Sequence, residues 1–436
     1  MRRRSSTTER EQTSTDPGEP AIATGGAAAT DGRPIVSVEG VYKAFGRRPT
    51  EAVRRLRQGA TRAEVRGLAT AAVIDATFEV RRGEIFVVMG LSGSGKSTLI
   101  RMLNGLWKPT AGHVRIGDEE LSAVDDKALR RLRRTRVSMV FQHFALLPHR
   151  TVLDNAAYPL EIQGIDRAAR QEQARRALAL VGLGGWEDSY PAQLSGGMRQ
   201  RVGLARALAA DTDVLLMDEA FSALDRLIRR EMQEQLLELQ QTLGKTIVFI
   251  THDLNEAMHL GDRIAVMRDG RIVQVGTAED ILSRPADDYV ARFVADVDRT
   301  RVLTASSVMV RPAAVVPLAS GPRLASRTMR EAQVSAAFVV DRSRTLRGIV
   351  RDADAVSAAQ SGVESLEGIV LDGVAAVSTD TPLSEIFAPA AESPLPVPVT
   401  DERGRLVGVV PRVTLLEAMI PTEPVPSDDV ATEVLA

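Results

Sequence analysis

Residues 90–97 have the types and the spacing of a loop that holds phosphate groups. They read GLSGSGKS and match the pattern G-x-x-x-x-G-K-[ST]. Glycines let backbone N–H groups turn inward around a β-phosphate. Lys96 can reach β- and γ-phosphate oxygens, and the Ser97 hydroxyl is suited to Mg²⁺. The alternative is a glycine-rich turn with a solvated lysine. We predict a phosphate-binding loop, called the P-loop below, whose contacts come from Gly90, Ser92, Gly93, Ser94, Gly95, Lys96, Ser97 and Thr98.

Two carboxylates follow a second apolar run. Residues 214–217 read VLLM and are followed by Asp218 and Glu219. We predict that Asp218 holds Mg²⁺ through a water molecule, and that Glu219 polarises an attacking water as general base. Taken alone, the run is equally consistent with a strand that ends in a solvated acidic turn. The P-loop in the same chain favours the catalytic interpretation.

A glutamine and a histidine also follow apolar runs. Gln142 comes after the run VSMV, and His252 comes after TIVFI. A glutamine at a strand end can ligate Mg²⁺ and sense the γ-phosphate, and a neutral histidine can donate to that phosphate and orient water. The alternatives are a surface glutamine in a loop and a hydrogen-bonded core histidine. We predict that Lys96, Glu219 and His252 are catalytic, and that Ser97, Gln142 and Asp218 bind the metal.

The elements around these residues indicate an α/β domain. IFVVM is continuously apolar, as expected of a strand buried on both faces, and STLIRMLNGL after the P-loop predicts a helix. Alternating strands and helices continue to about residue 297. The domain begins with a strand from Ile35 toward Val41. Residues 47–69 predict a helical insertion through the spacing of Val53, Leu56 and Val65, before a strand over 71–80.

The C-terminal part contains an approximate internal repeat. Residues 315–350 and 375–410 each predict strand, short helix, strand, polar turn and strand, which indicates two small modules packed together. The predicted organisation is therefore a disordered N-terminal tail over 1–33, an α/β domain over 34–297, a repeat domain over 298–420 and an acidic flexible tail over 421–436.

Composition excludes several classes of site. The 436-residue chain has no cysteine and a formal net charge of −2. Disulfides, thiolate catalysis and cysteine-ligated zinc are excluded, and the lack of a basic excess argues against nucleic acid as a partner. No apolar run approaches the ~20 residues that cross a bilayer. The N-terminal arginines are not followed by an apolar stretch, so we expect a cytoplasmic protein.

One further motif decides which P-loop family the chain resembles. Residues 194–200 read LSGGMRQ, and they lie between Gln142 and Asp218. This order resembles the ATPases of ABC transporters. The resemblance implies a P-loop NTPase domain with a helical signature subdomain, followed by an α/β pair of CBS modules. It also implies a head-to-tail homodimer with two ATP molecules, in which a second anion site serves the partner's nucleotide. That site would comprise Ser195, Gly196, Gly197 and Gln200, with Asp225 at the same interface.

Over residues 34–420 the chain resembles the ATPase subunit of glycine betaine/proline importers. This likeness implies ATP and Mg²⁺ as cofactors, a membrane permease, and a periplasmic or lipid-anchored substrate-binding protein. It implies a peripheral location on the cytoplasmic side of the inner membrane. Phe45 would stack on adenine, with Tyr42 as the alternative. Phe144, Leu147 and Pro148 resemble the surface that receives the permease, although they could instead pack within the helical subdomain.

The resemblance implies that the CBS modules gate the ATPase by ionic strength or a cyclic dinucleotide. The usual ribose-binding pattern G-x-x-[ST]-x-x-D is imperfect here: the first copy has Arg351 at the Ser/Thr position, and the second copy keeps neither polar residue. Arg351 and Arg412 could meet an anion or an anionic membrane, or they could be solvated. Other functions considered are import of choline, carnitine or a polar amino acid, a soluble ABC ATPase of DNA repair or translation, and a nucleotide-binding regulator without turnover.

Overall fold

The computed structural model describes residues 33–142 and 145–420. The expected tails (residues 1–33 and 421–436, apart from Arg33) and Phe144 lie outside the described residues. No helix in the described part of the chain is both long enough and apolar enough to span a bilayer.

The described residues form strands and helices that alternate along much of the chain. The strands are β1 (Val36–Gly46), β2 (Ala69–Val80), β3 (Ile85–Met89), β4 (Ala111–Ile116), β5 (Glu119–Glu120), β6 (Val137–Val140), β7 (Val214–Asp218), β8 (Thr246–Thr251), β9 (Arg263–Arg268), β10 (Arg271–Gly276), β11 (Val315–Pro317), β12 (Ala336–Val340), β13 (Leu346–Arg351), β14 (Val377–Ser378), β15 (Val397–Thr400) and β16 (Leu406–Val410). The helices are α1 (Pro49–Arg57), α2 (Lys96–Leu103), α3 (Asp126–Thr135), α4 (Val152–Gln163), α5 (Arg167–Leu180), α6 (Gly196–Ala209), α7 (Arg226–Leu243), α8 (Leu254–Leu260), α9 (Ala278–Ser283), α10 (Asp288–Phe293), α11 (Ala305–Val308), α12 (Pro322–Glu331), α13 (Asp352–Gln360), α14 (Leu383–Glu392) and α15 (Arg412–Met419).

A six-stranded sheet has the order β10-β9-β3-β8-β7-β6. Its strands are parallel except for β10, which pairs antiparallel with β9. Every residue of β3, β7 and β8 is buried, which explains their continuously apolar sequences. Alternate residues of β3 face two different cores: Val87 belongs to the core shared with helices α4 to α6, and Val88 to the core shared with the second sheet.

The second sheet is antiparallel and has the order β2-β1-β4-β5. It carries the insertion between β1 and β2, whose Val53, Leu56 and Val65 are buried against it. The prediction of a helical insertion over 47–69 is only partly right, because the helix ends at Arg57 and residues 62–68 form turns. The strand β1 also continues beyond the predicted run, as far as Gly46.

Helices α4, α5 and α6 pack on one another and form a helical subdomain beside the six-stranded sheet. The loop before α4 is held by Asn155, which is fully buried. Its side-chain oxygen accepts from the N–H of Leu147 at 2.7 Å, and its amide donates to the carbonyl oxygens of Leu147, Arg150 and Thr151. One buried amide thus fixes the conformation of residues 147–151.

The internal repeat folds as predicted, into two modules with the same topology. The sheets β11-β12-β13 and β14-β15-β16 each begin with a parallel pair and end with an antiparallel pair. Phe338 and Ile349 of the first module pack with Leu406 and Val409 of the second in a shared core. Packing two small modules against each other buries apolar faces that neither could cover alone.

Arg412 has a role that the sequence did not predict. Its guanidinium donates to the backbone carbonyl oxygens of Ala390, Ala391 and Ser393, at the end of α14. These are carbonyl groups that a helix end leaves without an intrahelical partner. Arg412 therefore caps a helix within its own module, which differs from both the anion-facing and the solvated interpretation.

Candidate active site

The P-loop connects β3 to α2 and has a backbone that only glycine tolerates at two points. Gly95 has a φ of 108°, and a Cβ atom there would lie 2.2 Å from the carbonyl oxygen of Ala72. At Gly90 a Cβ atom would lie 2.1 Å from the carbonyl oxygen of Met267. The loop is therefore wrapped closely by its neighbours, and the turn needs glycine for both space and φ.

Lys96 is buried at the start of α2, and its ammonium group donates to the carbonyl oxygens of Gly90 and Leu91 at 2.7 and 3.1 Å. Burial lowers the pKa of Lys96, while the nearby carboxylates of Glu219 and Asp218 oppose that effect. The N–H groups of the Lys96 ammonium are thus bonded to carbonyl oxygens of its own loop. Phosphate oxygens can accept hydrogen bonds from the same N–H groups.

Oxygen ligands suited to Mg²⁺ meet beside the P-loop. The hydroxyl of Ser97 lies 3.4 Å from Oδ1 of Asp218, at the end of β7. Burial raises the pKa of Asp218, and the charge of Glu219 raises it further. The described residues contain no group of three or more His, Cys, Asp or Glu side chains that could hold a metal. A set of few protein oxygens fits Mg²⁺, which keeps waters and binds substrate phosphates.

Glu219 lies between the two polar residues that follow the neighbouring strands. Its Oε2 atom is 3.2 Å from Nδ1 of His252 and 3.4 Å from Nε2 of Gln142. The backbone of Glu219 has a φ of 46°, which is uncommon for a residue with a side chain and marks a locally constrained position. The strand order β8-β7-β6 explains the meeting, since His252, Glu219 and Gln142 follow these three strands in turn.

Phe45 is the more exposed of the two aromatic residues considered for adenine. It is 39% exposed, whereas Tyr42 is 5% exposed and lies under the guanidinium of Arg57. Trp107 packs edge-on against Phe45 with ring centroids 5.0 Å apart. Edge-to-face packing of this kind orients a ring. Trp107 did not emerge from the sequence, because the pairing joins β1 to the segment after α2.

The LSGGMRQ segment opens helix α6. Ser195 is the N-cap and accepts from the N–H of Met198, and a Cβ atom on Gly196 would have no neighbour within 4 Å. A Cβ atom on Gly197 would lie 2.7 Å from Cγ2 of Ile228 in α7. Gln200 is fully buried inside the subdomain, so its position does not fit the predicted contact with a nucleotide on another subunit. In contrast, Asp225 lies at the surface as N-cap of α7.

Comparisons with known proteins show the family of the chain. The model of the ABC transporter family matches residues 73–222, and that of the CBS domain matches residues 305–361 and 366–421. The glycine betaine transport ATP-binding protein OpuAA of Bacillus subtilis is 50% identical over 90% of this chain and 94% of its own length. The chain belongs to the family of glycine betaine transport ATP-binding proteins.

Two other members of this family are similar over almost the same span. The glycine betaine/carnitine transport ATP-binding protein GbuA of Listeria monocytogenes is 50% identical over 88% of this chain and 97% of its own length. The glycine betaine/proline betaine transport ATP-binding protein ProV of Escherichia coli is 45% identical over the same fractions. As a member of this family, the chain is an ATP-binding and ATP-hydrolysing subunit of an ABC transporter with a tandem CBS region. The predicted fold and enzyme class are confirmed.

Proposed function

We propose that this subunit powers import of glycine betaine, proline or a related osmoprotectant. The observation that carries the proposal is the identity of 45–50% with glycine betaine transport subunits, which extends over both the ATPase and the CBS regions. Carnitine and choline remain the second candidates, because the name of one such relative includes carnitine and choline is also a quaternary amine.

In the proposed reaction, Glu219 takes the proton of the attacking water and His252 holds the γ-phosphate region in line with it. Support comes from the 3.2 Å distance between the two side chains, since a general base must be fixed by its neighbours. Lys96 neutralises phosphate charge, and Ser97, Gln142 and Asp218 hold Mg²⁺. Bound Mg²⁺ would supply charge neutralisation for the phosphates. Phe45 stacks on adenine, supported by its exposed ring.

The active form in this proposal is a head-to-tail homodimer. Ser195, Gly196 and Gly197 lie at the N-terminus of a long helix, where exposed N–H groups suit an anion. Helix α6 packs on α4, α5 and β6, whereas α2 packs on β2, β7 and β8. In the proposed dimer, the LSGGMRQ segment at the start of α6, called the signature segment below, serves the P-loop of a second subunit, with Asp225 beside it.

The permease would dock at a cleft of about 390 Å³ on the helical subdomain. Apolar side chains line much of it, including Leu106, Val137, Met139 and Ile162, together with Arg133, Arg134 and Arg206. A cleft of this kind suits the apolar face of a short helix. Ala145, two residues before Leu147 of the predicted docking surface, also lines it. The chain would then lie on the cytoplasmic side of the inner membrane, and the substrate-binding protein would act through the permease.

We further propose domain boundaries at 34–297 and 298–420, with the CBS region regulating turnover. The support is that the described strands of the two modules begin at Val315, beyond the last helix of the ATPase part, α10.

The cargo is tested by uptake of labelled glycine betaine in a bacterial strain that lacks this gene. Restoring the gene should restore uptake, and an excess of unlabelled proline betaine should compete. Copurification of the permease with this chain in the same strain tests the docking proposal. Equal uptake with and without the gene would contradict the assigned cargo.

Removing residues 301–436 should flatten the dependence of uptake on internal salt concentration. Without the CBS region the ATPase would lose the element proposed to respond to ionic strength, so transport should run at a similar rate in low and high salt. Membrane vesicles loaded with graded KCl provide the measurement. The control is ATP hydrolysis by the truncated chain at one fixed salt concentration. An unchanged salt response in an active truncated protein would refute this regulatory role.

A further inference from the structure

Arg229 joins two loops that the proposed function assigns to different nucleotide sites. Its Nη1 atom lies 3.1 Å from Oδ2 of Asp253, the residue after His252. Its Nη2 atom donates to the carbonyl oxygens of Leu224 and Ser222, at 3.1 and 3.4 Å. One guanidinium group thus holds the segment before Asp225 and the segment after His252 together.

These contacts lie at the edge of the core rather than in open solvent. The side chains of Arg229 and Asp253 are 29% and 33% exposed. Hydrogen bonds to charged groups in such partly dry surroundings are stronger than those at a fully exposed surface. One turn further along α7, the buried Gln233 donates to the buried Glu256 of α8 at 3.0 Å. Two polar links therefore set the position of α8 relative to α7.

Asp253 uses its two carboxylate oxygens for different purposes. Oδ1 accepts from the N–H groups of Asn255 and Glu256 and so caps α8, while Oδ2 meets Arg229. The residue therefore fixes where the loop carrying His252 turns into α8. An asparagine at 253 would keep a cap acceptor and lose the ion pair, which allows the two roles to be separated.

The contacts of Arg229 connect to a set of polar contacts around Glu219. His252 and Gln142 both approach the Glu219 carboxylate, and Gln142 also lies 3.5 Å from the hydroxyl of Ser222. The hydroxyl of Ser222 in turn donates to the carbonyl oxygen of Glu219 at 2.9 Å. Arg229 connects Ser222 to Asp253, so the segment 222–225 and the loop that carries His252 share one hydrogen-bonded link.

We infer that Arg229 is a positioning residue. It couples the position of His252 beside Glu219 to the position of residues 222–225. The inference rests on the proposed function, in which Asp225 lies at the interface with the second subunit. Engagement of that interface in one site would then align the imidazole in the other. A lysine cannot replace the arginine fully, because its single nitrogen cannot reach both Asp253 and the carbonyl oxygens as a planar fork does.

The test measures kcat and KM for ATP in the full-length subunit assembled with its permease. Arg229→Ala should lower kcat by about 10- to 100-fold, the scale expected for misplacing a group by about 1 Å, with KM for ATP changed by less than about threefold. Arg229→Lys should recover part of the loss. Asp253→Asn should lower kcat in the same way. The kcat of the double variant should be no lower than that of the less active single variant, because both substitutions remove one shared interaction.

Arg230→Ala is the matched control. This neighbouring arginine is 71% exposed and reaches Glu234 on its own helix at 3.9 Å, so its removal should leave kcat unchanged. Equal ATP binding and equal melting temperatures verify that the variants fold. Three results would overturn the inference. The first is a folded Arg229→Ala variant with kcat within twofold of wild type, the second is a change confined to KM, and the third is additive losses of kcat in the double variant. Failure of the proposed function is distinct, since then the wild type itself would not hydrolyse ATP or Glu219→Gln would remain active.

Discussion

Glu219→Gln is expected to lower kcat for ATP hydrolysis by about 100- to 10,000-fold, the range for loss of a general base. That corresponds to about 2.7–5.4 kcal/mol of transition-state stabilisation. The amide has the size of the carboxylate but cannot accept the proton of the attacking water. ATP binding should persist, because the P-loop, Lys96 and Ser97 remain unchanged.

The measurement pairs steady-state hydrolysis with equilibrium binding of labelled ATP. Glu238→Gln makes the same chemical change at an exposed position on α7 and should leave both quantities unchanged. If Glu219→Gln kept more than about a tenth of the wild-type rate, a loss below ~1.4 kcal/mol, another group would be the base. If it lost ATP binding instead, Glu219 would have a structural role.

Two inactive variants are expected to complement each other when they share a dimer. Lys96→Ala damages the P-loop, and Ser195→Arg fills the proposed anion site at the start of α6. In a head-to-tail dimer each site takes its P-loop from one chain and its signature segment from the other. A mixed dimer therefore contains one intact site and one doubly damaged site, whereas each pure dimer contains two damaged sites.

Vanadate trapping of labelled nucleotide in the transporter measures the number of intact sites. Co-expressed Lys96→Ala and Ser195→Arg chains should trap about one nucleotide per mixed dimer, as two-fold symmetry requires. Pairing Ser195→Arg with a chain that carries both substitutions leaves no intact site and serves as control. Trapping in the mixed dimer no greater than in the pure dimers would mean that each chain builds its site alone.

Local sequence predicted the P-loop and the strand and helix on either side of it. A continuously apolar strand, a glycine-rich turn and a helix start are short-range features, so IFVVM, Gly90 to Ser97 and α2 could be assigned before any tertiary contact was known. The internal repeat likewise predicted two modules of equal topology. The roles assigned to the site residues are still predictions that the variants above would test.

Some residues could not be placed from sequence because their environment depends on distant segments. Phe45 and Tyr42 lie three positions apart in β1, and only the packing of the insertion buries Tyr42 under Arg57. Gln200 follows the signature glycines closely, but the helical subdomain encloses it. The insertion was predicted as helical throughout, but residues 62–68 form turns, and of these residues only Val65 is buried.

What the sequence determined by itself is the set of chemical groups: a P-loop, an oxygen ligand set, a candidate base and a signature segment, in an order typical of one family. Only the tertiary structure decided how they meet. The parallel order β3-β8-β7-β6 puts the P-loop, His252, Glu219 and Gln142 at neighbouring strand ends, because the carboxyl ends of parallel strands share one edge of a sheet. Strand order is set by long-range packing, and no short stretch of the chain encodes it.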